Sequence, residues 1–524
     1  HYGIYYLLQP YINVNIAYSI GYILSFIANF YLTALLGLLF SCSQTDEPEV
    51  MTQDEPTAET RGLFTKNVVI EWNEEGQELD GFGIAEADCA ADIFTHPKRK
   101  EVMDLLFGKD GLNISMLRGE IFPHYWMKEG DTSFDTDVRT DMPLGDPYFQ
   151  QAETNELKRR GQLWVTQQAK QLYHVDKLFF STWSPPAWMK QDGYITEDNF
   201  ASHGSLKKEY YQMFADYLVQ FVQAYKEAGM DIYAISPVNE PNYEANWNSC
   251  KWSPEQLADF IANYMGPTFE KQSVNPQIIF GELAQWSTLA LGAFNVVSAK
   301  KYAENVMEAN PDVIKYADIA AGHGYNIPRI PYEFPIVPYD KAVDQGLKVW
   351  LTEISSALDN YDGSMDNAIH WAEVFHKYLA NAHVNAVCWW TGARYTDTNE
   401  SLIKLEQGNF QIPKRFYTYG NYTRYVKVGS KQIRTDKPIS TTGKLLLTAF
   451  KNNREYVMVA VNKSKEPITT TLQVKGGRPI GELKAYTTDA EQNWKESTIT
   501  KDESNMYPIT VPAMSVVTYV GSVQ

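Results

Sequence analysis

Two glutamates of this chain, Glu240 and Glu353, are candidates for a reaction that needs a pair of carboxyl groups. Glu240 follows the run Ala234–Asn239 and precedes a proline, and Glu353 ends the apolar run Val349–Thr352. A buried carboxyl group with a raised pKa can donate a proton, while a second, ionised carboxylate can act as a nucleophile. Two such groups on either side of one bond are what cleavage of a glycosidic bond requires. The prediction depends on a fold that brings them together, because either one alone is an ordinary acid at a strand end.

The chain between residues 78 and 425 alternates short apolar runs with longer amphipathic segments of helical period. Near-continuous apolar runs separated by helices are typical of parallel strands that are buried on both faces. Eight such units indicate an α/β fold, a (β/α)8 TIM barrel. The predicted strands are Leu79–Ala85, Asn113–Arg118, Lys177–Trp183, Ile232–Val238, Gln277–Glu282, Asp318–His323, Leu347–Glu353 and Asn385–Trp390.

Residues 426–524 follow a different pattern, with period-two strands, tight turns and no long helical segment. This pattern predicts a side antiparallel β-sandwich. Asn67–Trp72 is also strand-like, so residues 64–77 are expected to join the same sandwich, which is then built from both chain ends. The predicted C-terminal strands are Lys444–Phe450, Glu455–Val461, Thr469–Val474, Glu482–Thr487 and Ser515–Val520.

The predicted barrel places both glutamates at one mouth, where the carboxyl ends of all eight strands converge. Glu240 and Glu353 belong to the fourth and seventh predicted strands, which face one another. A separation of about 5–5.5 Å would give retention of anomeric configuration. We expect Glu240 to be the acid/base, because Asn239 beside it can bond a sugar 2-hydroxyl, and Glu353 to be the nucleophile. Other residues at or just past strand ends are Arg118, Trp183, Glu282, His323 and Trp390.

These residues stand within motifs that resemble glycoside hydrolase family 30. The motifs are Asp80–Gly83, Ser181–Lys190, Ala234–Pro241, Gly322–Tyr325, Trp350–Glu353 and Pro512–Tyr519, and the resemblance spans about residues 65–524. It implies a barrel with a side β-sandwich, retaining hydrolysis of β-glycosidic bonds, Glu240 as acid/base and Glu353 as nucleophile. The sugar site implied by the resemblance and the strand ends consists of Arg118, Trp183, Asn239, His323, Tyr325 and the Trp389–Trp390 pair, of which we favour Trp390.

The resemblance leaves the substrate open, because the family acts on glucuronoxylan, β-1,6-glucan, β-1,6-galactan, β-xylosides and glucosylceramide. We expect endo-action on a plant-type hemicellulose such as (glucurono)xylan. The alternatives are a β-1,6-glucanase or β-1,6-galactanase, a glucosylceramidase-like exo-β-glucosidase, and a glycan-binding lipoprotein without activity. Arg394 is a candidate partner for a substrate uronate, and its alternative is a surface pair with Asp397 or Glu400. The aromatics Trp188, Tyr243, Trp247, Trp252 and Trp286 are either further sugar subsites or packing residues on loops.

Composition limits the class of partner. The chain has 524 residues, a formal net charge of −18 and 14% aromatic residues. An acidic surface repels nucleic acid, whereas abundant aromatic side chains suit neutral ligands with flat apolar faces, such as a polysaccharide or oligosaccharide. No metal motif and no glycine-rich phosphate loop occurs in the sequence, so we expect neither a metal nor another cofactor.

The N-terminal region predicts a location outside the cytoplasm. Residues 1–41 contain no Lys, Arg, Asp or Glu, and the apolar run Leu24–Phe40 leads to Cys42. Residues 1–42 resemble a bacterial lipoprotein signal with Cys42 as the lipidated residue, and an uncleaved membrane anchor is the alternative. Residues 43–63 are acidic and predict a flexible tether. We therefore expect a secreted or outer-membrane, cell-surface lipoprotein that meets the membrane only through Cys42.

Three further cysteines lie in the predicted barrel. Cys89 and Cys250 follow strands on the mouth side, and outside the cytoplasm they could form a disulfide. Cys388 lies inside a strand and is expected to be a small buried apolar residue.

Overall fold

The computed structural model describes residues 67–125, 149–195, 204–243, 245, 247–287, 298–325, 336–477 and 480–523. The predicted leader, with Cys42, and the predicted tether lie outside these ranges. Within them, no helix combines the length and the apolar character that crossing a membrane requires.

Eight parallel strands close into a barrel in the order β10-β2-β3-β4-β5-β6-β7-β8, which confirms the predicted (β/α)8 fold. The chain closes on itself where β10 pairs with β2, from Ala386 opposite Gly81 to Trp390 opposite Ala85. Nearly every barrel-strand residue is buried, as expected for strands covered on both faces. The barrel strands are β2 (Gly81–Ala85), β3 (Met116–Glu120), β4 (Lys177–Ser181), β5 (Ala234–Ser236), β6 (Gln277–Leu283), β7 (Ala317–His323), β8 (Lys348–Glu353) and β10 (Ala386–Trp390).

Amphipathic helices surround the barrel and bury their apolar faces against it in one large cluster. The α-helices are α1 (Ala90–Thr95), α2 (Arg99–Phe107), α3 (Phe149–Tyr173), α4 (Tyr211–Glu227), α5 (Pro254–Phe260), α6 (Gly266–Gln272), α7 (Ala299–Ala309), α8 (Asp340–Asp344), α9 (Met365–Ala380) and α10 (Lys414–Thr423). Short strands add to the mouth side, namely β9 (Ser356–Asn360), β11 (Ala393–Arg394), β12 (Thr398–Asn399), β13 (Ile403–Glu406) and β14 (Asn409–Gln411).

The amino-terminal end of the barrel is closed by a buried carboxylate. Asp80 accepts hydrogen bonds from Lys177, Lys348 and the indole of Trp350, at 2.7 to 2.9 Å. Trp350 fills the barrel interior, against Phe179 at 5.3 Å between ring centroids. The two ends of the barrel therefore differ, since one is filled by apolar side chains and one charge cluster, while the other carries the glutamates.

A second sheet contains strands from both ends of the described chain. Its order is β20-β19-β22-β17-β16-β15-β1-β18-β21, and β1 pairs antiparallel with β15 and parallel with β18. Side chains from both halves of this terminal sheet bury one common apolar cluster, separate from the barrel core. Its strands are β1 (Val68–Glu78), β15 (Lys431–Asp436), β16 (Leu445–Lys451), β17 (Glu455–Asn462), β18 (Ile468–Lys475), β19 (Ile480–Thr488), β20 (Lys495–Ile499), β21 (Tyr507–Val511) and β22 (Ser515–Val523).

Three of these strands were missed from the sequence: β15, β20 and β21. β15 and β20 are rich in charged and polar residues, and β20 is also largely exposed, so both lack the apolar period of a half-buried strand. β21 contains Pro508, which argues against a strand and is tolerated where the sheet ends.

The structure answers the open question of a disulfide. Cys89, Cys250 and Cys388 are buried, and no disulfide joins Cys89 to Cys250. The thiol of Cys89 instead bonds the carboxylate of Asp88, at 3.2 Å between Sγ and Oδ1.

Candidate active site

Glu240 and Glu353 meet at the mouth of the barrel. Glu353 is the last residue of β8, and Glu240 lies on the turn after β5, where it has a positive φ of 44°. The Glu240 backbone N–H donates to the carbonyl of Glu282 at 2.9 Å, which fixes this turn to β6. One carboxylate oxygen of each glutamate lies within 4.8 Å of the other and of a His323 ring nitrogen. Both side chains are nearly buried, with 8% and 6% exposure.

Both carboxyl oxygens of Glu353 accept from neighbouring donors. The guanidinium of Arg118, from β3, makes a close ion pair with Oε2. The hydroxyl of Tyr325, just past β7, donates to Oε1 at 2.8 Å. A positive charge and a hydrogen-bond donor therefore both face the side chain of Glu353.

Glu240 has the opposite environment. Burial raises the pKa of Glu240, and the negative charge of Glu353 adds to the effect, while His323 opposes it. The Nδ1 atom of His323 lies 3.0 Å from Oε1 of Glu240. Burial alone would lower the pKa of His323, but Glu353, Glu240 and Glu282 together raise it to about 9. The imidazolium thus donates to Oε1 of Glu240, and a proton on this carboxyl group belongs on Oε2.

Glu282, the sixth residue of β6, completes this cluster. Its Oε1 lies 3.2 Å from Nη2 of Arg118 and 3.9 Å from Nε2 of His323. Burial raises the pKa of Glu282, but the charges of Arg118 and His323 outweigh it and bring the pKa to about 2. The sequence placed Glu282 at a strand end without a role, because its neighbours Arg118 and His323 come from two other strands, β3 and β7.

Arg118 also orients the amide of Asn239. Nη2 of Arg118 donates to Oδ1 of Asn239 at 2.7 Å, so the amide nitrogen is the group that can donate to a sugar hydroxyl. The guanidinium carbon lies 4.6 Å from the centre of the Trp183 ring, and the rings of Trp183 and Trp390 are 5.9 Å apart. Both indoles thus form an apolar wall of the mouth, and a cis peptide bond joins Trp390 to Thr391.

The Glu240, His323 and Glu353 cluster also has a spacing that a metal ion can use. Within this cluster, Nδ1 of His323 lies 3.0 Å from Oε1 of Glu240 and 3.8 Å from Oε2 of Glu353, so the hydrogen bond of this ring nitrogen is to Glu240.

A family model described as O-glycosyl hydrolase family 30 matches residues 65–404 of the chain. The chain belongs to glycoside hydrolase family 30. It is therefore a glycoside hydrolase, and the two glutamates at the mouth of the barrel are the residues with the chemistry that this activity needs.

Relatives within family 30 differ in substrate. A glucuronoxylanase, XynC of Bacillus subtilis, is 25% identical over 66% of this chain and 74% of its own length. Lysosomal acid glucosylceramidase of Mus musculus is 22% identical over 76% of this chain and 77% of its own length. The catalytic domain of xylanase C from Talaromyces cellulolyticus superimposes with a TM-score of 0.70 at 22% identity, over 87% of this chain and 99% of that chain. Endo-1,6-β-glucanases also match.

Trp389 does not line the mouth of this family 30 barrel, which corrects its assignment to the sugar site. It is fully buried, its ring packs edge-on against Trp371 of α9 at 4.6 Å, and its Nε1 donates to the carbonyl of Glu400 at 2.9 Å. Successive strand residues point to opposite faces, so Trp390 turns toward the mouth while Trp389 turns toward the helices.

Arg394 forms the surface pair that was the alternative to binding a uronate. Its Nη1 donates to Oε1 of Glu400 at 2.6 Å, and the same oxygen accepts from Nε1 of Trp390 at 3.0 Å. The Arg394 side chain remains 31% exposed at the rim, next to Trp390 through this shared carboxylate.

Proposed function

We propose that this family 30 protein is a retaining β-glycoside hydrolase, with Glu353 as nucleophile and Glu240 as acid/base. The observation that carries the proposal is the distance of at most 4.8 Å between their carboxylate oxygens. Retaining enzymes hold their two carboxyl groups about 5–5.5 Å apart, whereas inverting enzymes need about 6.5–9.5 Å to fit a water molecule. The short distance between the carboxylate oxygens favours the first arrangement.

The mechanism has two steps. Glu353 attacks the anomeric carbon while Glu240 gives its proton to the leaving oxygen, and a covalent glycosyl-enzyme forms. The pKa of Glu240 is raised by burial and by the negative charge of Glu353. Formation of the covalent bond removes this negative charge, so the pKa of Glu240 falls. Glu240 is then a carboxylate with less repulsion around it. It takes a proton from water as the water oxygen attacks the same carbon, and the bond from this carbon to Glu353 breaks, which returns Glu353 to its carboxylate form. The product keeps the original anomeric configuration.

The substrate that we propose is the main chain of a xylan-type hemicellulose, cut internally. The apolar wall of Trp183 and Trp390 suits the flat face of a pyranose ring. We propose that the site tolerates uronic acid side groups on the xylan but does not require them, because Arg394 already has a carboxylate partner in Glu400. The same pairing favours a neutral β-1,6-glucan as the second candidate.

The test is a product analysis with the purified protein on glucuronoxylan, unsubstituted xylan, β-1,6-glucan and a glucosyl lipid. We expect xylo-oligosaccharides from both xylans, with the β anomer appearing first in proton NMR spectra. Release of the α anomer first would contradict retention. Glu240→Gln and Glu353→Gln should each abolish turnover on xylan, whereas Glu496→Gln, a change on the terminal sheet, should not. Turnover in Glu353→Gln above contamination would exclude Glu353 as the nucleophile.

We further propose that the protein acts outside the cytoplasm, anchored by lipid at Cys42. The support is the apolar run Leu24–Phe40 before Cys42 and the acidic segment after it. Labelled palmitate should be incorporated into the full chain and not into Cys42→Ala. Equal labelling of the two chains would refute the anchor.

A further inference from the structure

Two aromatic side chains beside Glu240 are exposed and stacked on one another. Tyr243 is 44% exposed and Trp247 is 49% exposed. Their ring centroids are 5.8 Å apart and their planes differ by 26°, so the two rings stack and together form one exposed apolar surface. Packing does not explain this surface, because half of each side chain faces solvent.

The other loop aromatics have packing roles. Trp252 and Trp286 are 3% and 1% exposed and lie within the barrel core. Trp188 is half-buried and packs edge-on against Tyr210, at 5.2 Å between ring centroids. Among these five predicted subsite residues, the exposed aromatic surface therefore belongs to Tyr243 and Trp247.

The backbone ties the stacked pair to the acid/base. The N–H of Tyr243 donates to the carbonyl of Glu240 at 2.9 Å, and the N–H of Trp252 donates to the carbonyl of Pro241 at 3.0 Å. These bonds close the segment that carries both rings into a loop that starts at Glu240.

Further bonds hold the far side of this loop. The amide of Asn248 donates to the buried carboxyl of Glu120 at 2.7 Å, and the ammonium of Lys190 donates to the carbonyl of Ser249 at 2.6 Å. The stacked pair is therefore preorganised, and a ligand would not have to bear the entropic cost of ordering it.

We propose that Tyr243 and Trp247 form a platform that binds sugar residues on the leaving-group side of the cleaved bond. The inference rests on the proposed function, in which Glu240 protonates the leaving oxygen and its own loop is nearest to the leaving sugar. A pyranose ring presents axial C–H groups on one face, and an aromatic pair of this shape gains apolar contact with them without a hydrogen-bond requirement. The ligand class is a neutral β-linked oligosaccharide.

The first test measures binding directly. The full chain is run through native gels that contain glucuronoxylan or β-1,6-glucan, beside Tyr243→Ala, Trp247→Ala and the control Ile439→Ala, which removes an exposed apolar residue near the terminal sheet. We expect at least one polymer to retard the parent chain, and Trp247→Ala to weaken that binding by roughly tenfold. Equal retardation of all four proteins, or none for the parent in either gel, would overturn the platform.

The second test assigns the side. β-Xylobiosyl fluoride leaves only fluoride on the leaving-group side, so kcat/KM for it should change less than about twofold in Trp247→Ala, while kcat/KM for long xylo-oligosaccharides falls roughly tenfold. An equal loss on both substrates would place the rings on the other side and contradict the proposal. A parent chain that binds polymer but cleaves nothing would refute the proposed function and leave the platform standing.

Discussion

Arg118 and Glu282 form an ion pair of 3.2 Å inside the barrel, and neither side chain has any exposed surface. The same guanidinium holds Glu353, and Glu282 also faces the imidazolium of His323. With Glu240 protonated, the positive groups of this cluster are Arg118 and His323, and the negative groups are Glu282 and Glu353. The buried cluster is then neutral. Glu282 thus offsets one of the two positive charges in this cluster.

We predict that Glu282→Gln moves the alkaline limb of the kcat/KM profile to lower pH. Loss of one negative charge leaves an excess positive charge near Glu240, which favours its carboxylate and lowers its pKa. Thermal stability should fall as well, because breaking a buried pair costs about 3–5 kcal/mol. Glu282→Asp, which keeps the charge, is the control for the profile. A lower melting temperature with an unmoved alkaline limb would make Glu282 structural only.

His323→Gln should move the same limb in the opposite direction. The imidazolium is among the groups that lower the pKa of Glu240, while burial and Glu353 raise it. Removal of the positive charge therefore raises the pKa of Glu240, and activity should persist to higher pH, although at a lower maximum. The test compares the pH profiles of kcat/KM for the parent and the variant. A shift of the alkaline limb to lower pH would contradict the expected rise in the pKa of Glu240.

The Glu120 carboxyl gives a prediction for stability. Burial raises the pKa of Glu120 to about 8 from an ordinary 4.5, and the hydrogen bond from Asn248 only partly opposes it. The folded state thus binds more protons than the unfolded state between these two pH values, so the stability contribution is lost as pH rises through that window. Glu120→Gln avoids this loss and should be more stable than the parent by about 3 kcal/mol at pH 7.

At pH 4 the gain from Glu120→Gln should nearly vanish, because the parent carboxyl is then mostly protonated in both the folded and the unfolded state. Urea denaturation at the two pH values measures the difference in unfolding free energy. A gain that is the same at both pH values would show that the proton on Glu120 is not its source.

Trp389 and Trp390 offer a matched pair of substitutions. Trp389→Phe removes the indole bond to the Glu400 carbonyl and part of the packing on Trp371, so it should cost about 2 kcal/mol of stability. Its kcat/KM should be unchanged in the folded fraction. Trp390→Phe should reduce kcat/KM on xylan roughly tenfold with little change in melting temperature. Circular dichroism and initial rates on both variants test this, and the reverse assignment of effects would contradict the strand register.

The amino-acid sequence by itself determined the barrel and the position of its two glutamates. Each barrel strand is a continuous apolar run, and consecutive βα units take neighbouring places, so the strand number of Glu240 and Glu353 places both at one mouth. The terminal strand β1 was also visible locally, from its apolar residues at 68–70. These features follow from short-range patterns, which do not depend on distant residues.

Only the tertiary structure decided the partners of these residues. Glu282 reaches Arg118 and His323 because barrel closure brings β3, β6 and β7 side chains inward, and no spacing in the chain encodes that distance. Arg394 pairs with Glu400 because a turn folds back at the rim. The register of β10 turns Trp389 outward, since a shift of one residue exchanges the two faces of a strand. The contacts at this site thus depend on how the barrel closes and on which way each side chain points. The strands that carry these side chains are already visible in the sequence.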